Sequence, residues 1–264
     1  MSEPVIKISK IDCVAGMRKI QPESVAMVFA DPPYNLSGAA LINKKSHTGG
    51  AFHKVNEDWD TMSVADYSKF SDSWISESYR ILNNAGAIYV CASHHNIGQV
   101  MVSLAKSGFV VKNIITWEKP NAMPNMTRRT FTHSTEFIVW AVKGKGWVFN
   151  HEALKAMNPD KQADGSPKMM RDVWRIPVVQ GAERLRKADK RALHPTQKPE
   201  VLVARCVEAS TNEGDLVVDP FSGSGTTAVI CALRNRSFLG FELSEEYVRA
   251  SRARVTAAIK SARQ

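Results

Sequence analysis

The chain has 264 residues, 44% of them hydrophobic, with a formal net charge of +9 and a pI near 9.4. That length supports one sizeable core, and the absence of any apolar run of about 18 residues excludes a membrane-spanning helix from the expectations. The N-terminus lacks a basic-then-apolar leader, and Cys13, Cys91, Cys206 and Cys231 are scattered without metal-ligand spacing, as expected of reduced core thiols in a cytoplasmic protein.

In chain order, residues 6–11 alternate like a strand and stop at Asp12. Residues 25–30 form a continuous apolar run of the kind buried in parallel sheets, ending at Asp31-Pro32-Pro33-Tyr34. Residues 36–60 are rich in Gly, Ser, Asn and His and predict a long loop, a length usually associated with function. Tyr67, Phe70, Trp74, Ile75, Tyr79 and Leu82 have helical spacing, with Ser63 as N-cap and Asp66 three residues on. A strand over 87–91, a helix over 95–106 and a strand over 110–117 follow. Residues 118–134 read as a polar loop bearing Asn121, Asn125, Arg128 and Arg129, and 137–142 as a strand. From Lys143 to Arg191 periodicity fades, and 12 Lys/Arg face 6 Asp/Glu, a local excess that favours a polyanionic partner but equally suits a solvated surface. Regular pattern resumes with a helix over 199–210, Pro199 at its first position. A strand over 216–218, a glycine loop, a helix over 226–233, a strand over 238–241 and a helix capped by Ser244 complete the chain.

Alternating strands and helices imply an α/β fold, a doubly wound, mostly parallel, seven-stranded sheet. One domain is expected in three stretches: a catalytic half over 1–144, an inserted basic recognition lobe over 145–191, and a cofactor-binding half over 192–264. Ligands of such sheets bind beyond the carboxyl ends of the strands. Asp12, Asp31, Asp219 and Glu242 all occupy that end.

The loop Asp219-Pro220-Phe221-Ser222-Gly223-Ser224-Gly225 permits close backbone approach, and Thr226 opens a helix whose free N–H groups face the loop. Alone, this could be a simple strand-to-helix turn. Glu242, about 20 residues on at the end of the next strand, can accept ribose hydroxyls. With no Lys placed for polyphosphate, a nucleoside cofactor such as S-adenosylmethionine fits. At the other motif, an exocyclic amine on a base is a poor nucleophile because its lone pair is delocalised. The Asp31 carboxylate and the Pro32 carbonyl are two acceptors for its two N–H bonds. Pro32 and Pro33 fix the backbone, and Tyr34 offers a face for stacking. The donor sulfonium is already activated, so no metal is expected. A base in a duplex must be extruded to reach such a site. Loop 36–60, Asn35, Arg128, Arg129 and the basic lobe, including Arg171, Arg184 and Arg186, are the candidate DNA contacts.

Together these motifs resemble the S-adenosylmethionine-dependent amino-methyltransferases of DNA. Asp31 to Tyr34 looks like the catalytic motif, Asp219 to Gly225 like the cofactor loop, and His194-Pro195-Thr196-Gln197-Lys198-Pro199 like the segment before it. Catalytic motif first and cofactor loop last is the circularly permuted order of the beta class. The resemblance implies that Asp31, Asp219, Phe221, Gly223, Gly225, Thr226 and Glu242 surround the cofactor, with Thr196 and Lys198 near its methionine carboxylate and Asp12 close by. Asp rather than Ser at position 31 favours adenine-N6 over cytosine-N4. Double-stranded DNA is the implied substrate, with a homodimer and a cognate restriction endonuclease as partners the family allows. An RNA methyltransferase, a protein-amide enzyme and a DNA-binding subunit without catalysis are the competing readings.

Overall fold

The computed structural model describes residues 4–35, 62–125 and 128–263. Loop 36–60, expected to help clamp DNA, lies outside the described residues.

Eight strands form one sheet: β1 Ile6–Lys10, β2 Val25–Ala30, β3 Leu82–Ala92, β4 Val110–Glu118, β5 Thr135–Val142, β6 Val173–Arg175, β7 Leu216–Asp219 and β8 Ser237–Glu242, in the order β1-β8-β7-β2-β3-β5-β4-β6. All pairings are parallel except β3 with β5 and β5 with β4. The expected count of seven is corrected to eight. The extra strand is β6, which pairs Thr116–Glu118 of β4 with Val173–Arg175 from the basic stretch. Three residues are too few to show a period of two.

The helices are α1 Cys13–Met17, α2 Val64–Ile81, α3 Ile97–Lys106, α4 His151–Met157, α5 Glu200–Ser210, α6 Thr226–Leu233 and α7 Glu245–Ala262. Neither α1 nor α4 shows in the sequence pattern, because each is two turns or fewer. Pro199 sits at the N-cap of α5, one residue before the expected first position. Ser63 caps α2 as expected: its hydroxyl accepts the Asp66 N–H at 3.1 Å and donates to the Asp66 carboxylate at 2.7 Å, a cap contributing about 1 kcal/mol.

Strand alternation divides the core in two. Met27 and Phe29 of β2, with Ala87, Tyr89 and Cys91 of β3, face a cluster built with Leu202, Val203, Ala228, Val229 and Val248 of α5, α6 and α7. Val25, Val28 and Ala30, with Ile88, Val90 and Ala92, face Met17, Trp74, Ile75, Val100 and Leu104 of α1, α2 and α3. Burial on both faces is why β2 reads as an unbroken apolar run. The basic stretch joins the first cluster through Leu154, Trp174 and Ile176. The antiparallel pairs Ala92–Phe137 and Glu118–Thr135 bring the β4–β5 connection to the carboxyl edge of β2 and β3.

Candidate active site

β2 ends at Asp31, and the chain turns away through Pro32, which is buried. Two residues from outside the motif brace this turn: the Tyr67 hydroxyl donates to the Pro33 carbonyl at 3.0 Å, and the Asn96 amide donates to the Tyr67 hydroxyl at 2.8 Å. The Tyr34 hydroxyl donates to Glu136 Oε2 at 3.2 Å. Glu136 is paired with Lys119 at 2.9 Å.

Lys198 Nζ meets Asp31 Oδ2 at 2.6 Å, lies 4.0 Å from Glu136, and sits 5.3 Å from the centre of the Tyr34 ring. The side chains of the pair are only 7% and 15% exposed, so water screens them little. Burial pushes the Asp31 carboxyl above the usual carboxylate range, and Lys198 opposes the rise. Burial also acts against the Lys198 charge, but Asp31 and Glu136 outweigh it and hold the ammonium well above its ordinary value. Burial would raise Glu136 too, yet Lys198 and Lys119 keep it below its usual range. The result is a largely buried chain of alternating charge, Asp31, Lys198, Glu136, Lys119, with Lys198 against the Tyr34 ring.

The glycine loop adjoins this chain. Asp219 turns inward. Its carboxylate accepts the Phe221 N–H at 2.9 Å and the Thr227 hydroxyl at 2.6 Å, and burial pushes it up to about 7. It shapes the loop rather than presenting an open acceptor. Gly225 is left-handed (φ 74°), and a Cβ there would lie 2.6 Å from the Ser251 Cβ; a Cβ on Gly223 would lie 2.8 Å from His194 Nε2. Glu242 accepts the Gly223 N–H at 3.0 Å and the Ser244 N–H at 2.8 Å. Each bond uses a different carboxylate oxygen, leaving a lone pair on each. Phe221 is half-buried, edge-on to Trp74 at 5.3 Å. The buried Ser222 hydroxyl has no partner among the described residues. One cleft is lined by Asp31, Lys198, His194, Thr196 and the loop from Asp219 to Thr227. These residues suit a nucleoside: the Phe221 ring, tight glycines and, bonded to the glycine loop, the two-oxygen Glu242 acceptor, while the lysine in the lining, Lys198, is committed to Asp31.

Other expected residues are committed to other partners or lie away from the cleft. The Asp12 side chain caps α1 by accepting the Ala15 N–H at 2.9 Å, and it does not line the cleft. The Thr226 hydroxyl is buried, donating to the Lys198 carbonyl at 3.1 Å and accepting from Arg254 at 2.9 Å. The Asn35 amide exchanges two hydrogen bonds with the Met62 backbone. Arg184 donates to the Val179 and Pro195 carbonyls, and Arg186 to that of Lys190. Arg128, Arg129 and Arg171 are exposed.

The sequence reading gives Glu136, Lys119, Tyr67 and Asn96 no part in the site; Tyr67 enters it only as a helix position. Glu136 carries the one visible signal, an acid at the head of an apolar strand, but the strand reading began one residue after it.

Asp31 and the glycine loop thus share one cleft. A family model described as DNA methylase, of the N6/N4 type, matches residues 25–253. The chain belongs to the DNA methylase family. This DNA methylase is similar to the type II methyltransferase M2.MboI of Moraxella bovis, 38% identical over 92% of this chain and 85% of that one. It is also similar to the type II methyltransferase M2.DpnII of Streptococcus pneumoniae, 39% identical over 93% and 88%. Among solved structures, the M1.HpyAVI–SAM complex superposes with a TM-score of 0.66 at 27% identity, covering 95% and 99% of the two chains. The PvuII cytosine-N4 methyltransferase shares the fold, with a TM-score of 0.69 at 18% identity.

Proposed function

We propose that this DNA methylase transfers a methyl group from S-adenosylmethionine to the N6 amine of an adenine extruded from double-stranded DNA. The observation that carries this reading is that Asp31 lines the same cleft as the glycine loop and is ion-paired there with Lys198. S-adenosylmethionine supplies an already activated methyl group on a sulfonium. Phe221, Ser222, Gly223 and Glu242 are the residues to hold its nucleoside, with Lys198 and Thr196 at its charged end.

The remaining work belongs to the protein. Asp31 and the Pro32 carbonyl accept the two N–H bonds of the target amine, which draws its lone pair out of conjugation. Asp31 is the site for the proton the amine must lose. Lys198 keeps that carboxylate ionised in a buried setting that would otherwise protonate it. Tyr34 is the stacking face, and Glu136 fixes its ring by holding the hydroxyl. Positioning and preorganised charge carry the catalysis.

We extend the proposal to a type II modification role beside a restriction endonuclease, on the names that the two relatives carry. Residues 145–191 are proposed as the recognition region, on their charge. A homodimer is carried only by the resemblance, and sedimentation tests it. Tritiated S-adenosylmethionine with unmethylated genomic DNA, digested to nucleosides, tests the reaction. Label in N6-methyladenine, lost in Asp31→Ala with cofactor binding retained, is expected. Label in N4-methylcytosine would refute the base assignment.

A further inference from the structure

The connection between β4 and β5 stands on the same edge of the sheet as the catalytic turn, and it is braced at several points. At its neck the Lys119 N–H donates to the Ser134 carbonyl at 2.7 Å. Lys119 and Glu136 tie that neck to the Tyr34 hydroxyl. On one flank Asn121 and Val178 exchange two hydrogen bonds, at 3.4 and 2.8 Å. On the other, the His133 ring stacks on His94 with centroids 4.4 Å apart and planes 6° from parallel. Within the loop the Asn125 amide donates to the Thr130 carbonyl at 2.6 Å.

Out of this scaffold stands Phe131, 96% exposed and the most exposed large apolar side chain among the described residues. Arg128 and Arg129, also exposed, precede it. A phenyl ring on a loose tip would fold back onto nearby apolar surface. Here the braced loop presents it to water, two residues after a pair of exposed cations. Nucleic acid meets both requirements at once: phosphates take the guanidiniums, and the base stack takes the ring.

We propose that Phe131 is a wedge that enters the base stack as the target base leaves it, with Arg128 and Arg129 holding the adjacent phosphates. This rests on the DNA-methylation reading above. Extruding a paired base costs unstacking and unpairing, least where the base is already unpaired. A wedge is therefore needed on a matched duplex and dispensable on an unpaired target.

The test compares the unaltered chain with Phe131→Ala on short duplexes carrying the site mapped in genomic DNA. In one the target base is paired; in the other it faces an abasic position. We expect kcat/KM to fall by roughly 10- to 100-fold on the paired duplex, the loss largely to vanish on the unpaired one, and melting temperature to stay unchanged. A 2-aminopurine placed at the target should show a smaller fluorescence rise on binding the variant. Equal losses on both substrates, or no loss on the paired one, would overturn the proposal. If the unaltered chain methylates neither duplex nor single strand, the reading of the function fails first and the wedge fails with it.

Discussion

Lys198→Met removes the cation from a buried site and leaves two carboxylates, Asp31 and Glu136, facing the gap. At 2.6 Å and an effective dielectric of about 20, the Lys198–Asp31 attraction is roughly 6 kcal/mol. Much of that offsets the cost of taking both ions out of water, and breaking such a pair from one side costs about 3–5 kcal/mol if the remaining charge persists. The carboxyl has an escape: Asp31, already pushed up by burial, rises further and takes a proton. The folded variant then binds more protons than the unfolded chain between the unfolded value of about 4 and the raised folded value, so its stability falls as pH rises through that window. We expect a small deficit near pH 5 and about 3 kcal/mol near pH 8, a lowering of the melting midpoint of roughly 6–12 °C. The acid limb of the kcat/KM profile should move to higher pH, since the ionised carboxylate is the competent form. Thermal melts and initial methylation rates across pH 5 to 9 measure both. A variant that melts with the parent at every pH and keeps its pH profile would refute the reasoning.

Three further outcomes are expected. Tyr34→Ala should weaken binding of an unpaired target base by about 1–3 kcal/mol while sparing cofactor affinity; base binding equal to the parent's would exclude the stacking role. Gly225→Ala should lower stability by more than about 1 kcal/mol, because the residue is left-handed and its new Cβ meets Ser251 at 2.6 Å; an unshifted denaturation midpoint would contradict this geometry. DNA affinity should fall steeply with salt, with a log–log slope of about −0.9 per phosphate contact, and Arg128→Gln with Arg129→Gln should flatten it; a slope that the double variant leaves unchanged would remove these two side chains from the interface.

The sequence by itself determined the order and type of the long elements. Apolar period and turn residues are local properties, so β2, α2, α5 and α7 were legible, as were the two motifs at strand ends. The same locality hid α1, α4 and β6, each too short for a period to register. Tertiary structure alone decided which motif side chains keep free polar atoms. Asp12, Asp219, Thr226 and Asn35 have the right chemistry, and Asp219 and Thr226 line the cleft, but each spends its polar atoms on a cap, a loop brace or a neighbouring group. It also decided that Lys198 and Asp31, 167 positions apart, share one buried ion pair, and that Glu136 and Lys119 extend it. Charge pairing across a sheet depends on strand order, and strand order is set by the packing of both faces, which no stretch of sequence contains by itself.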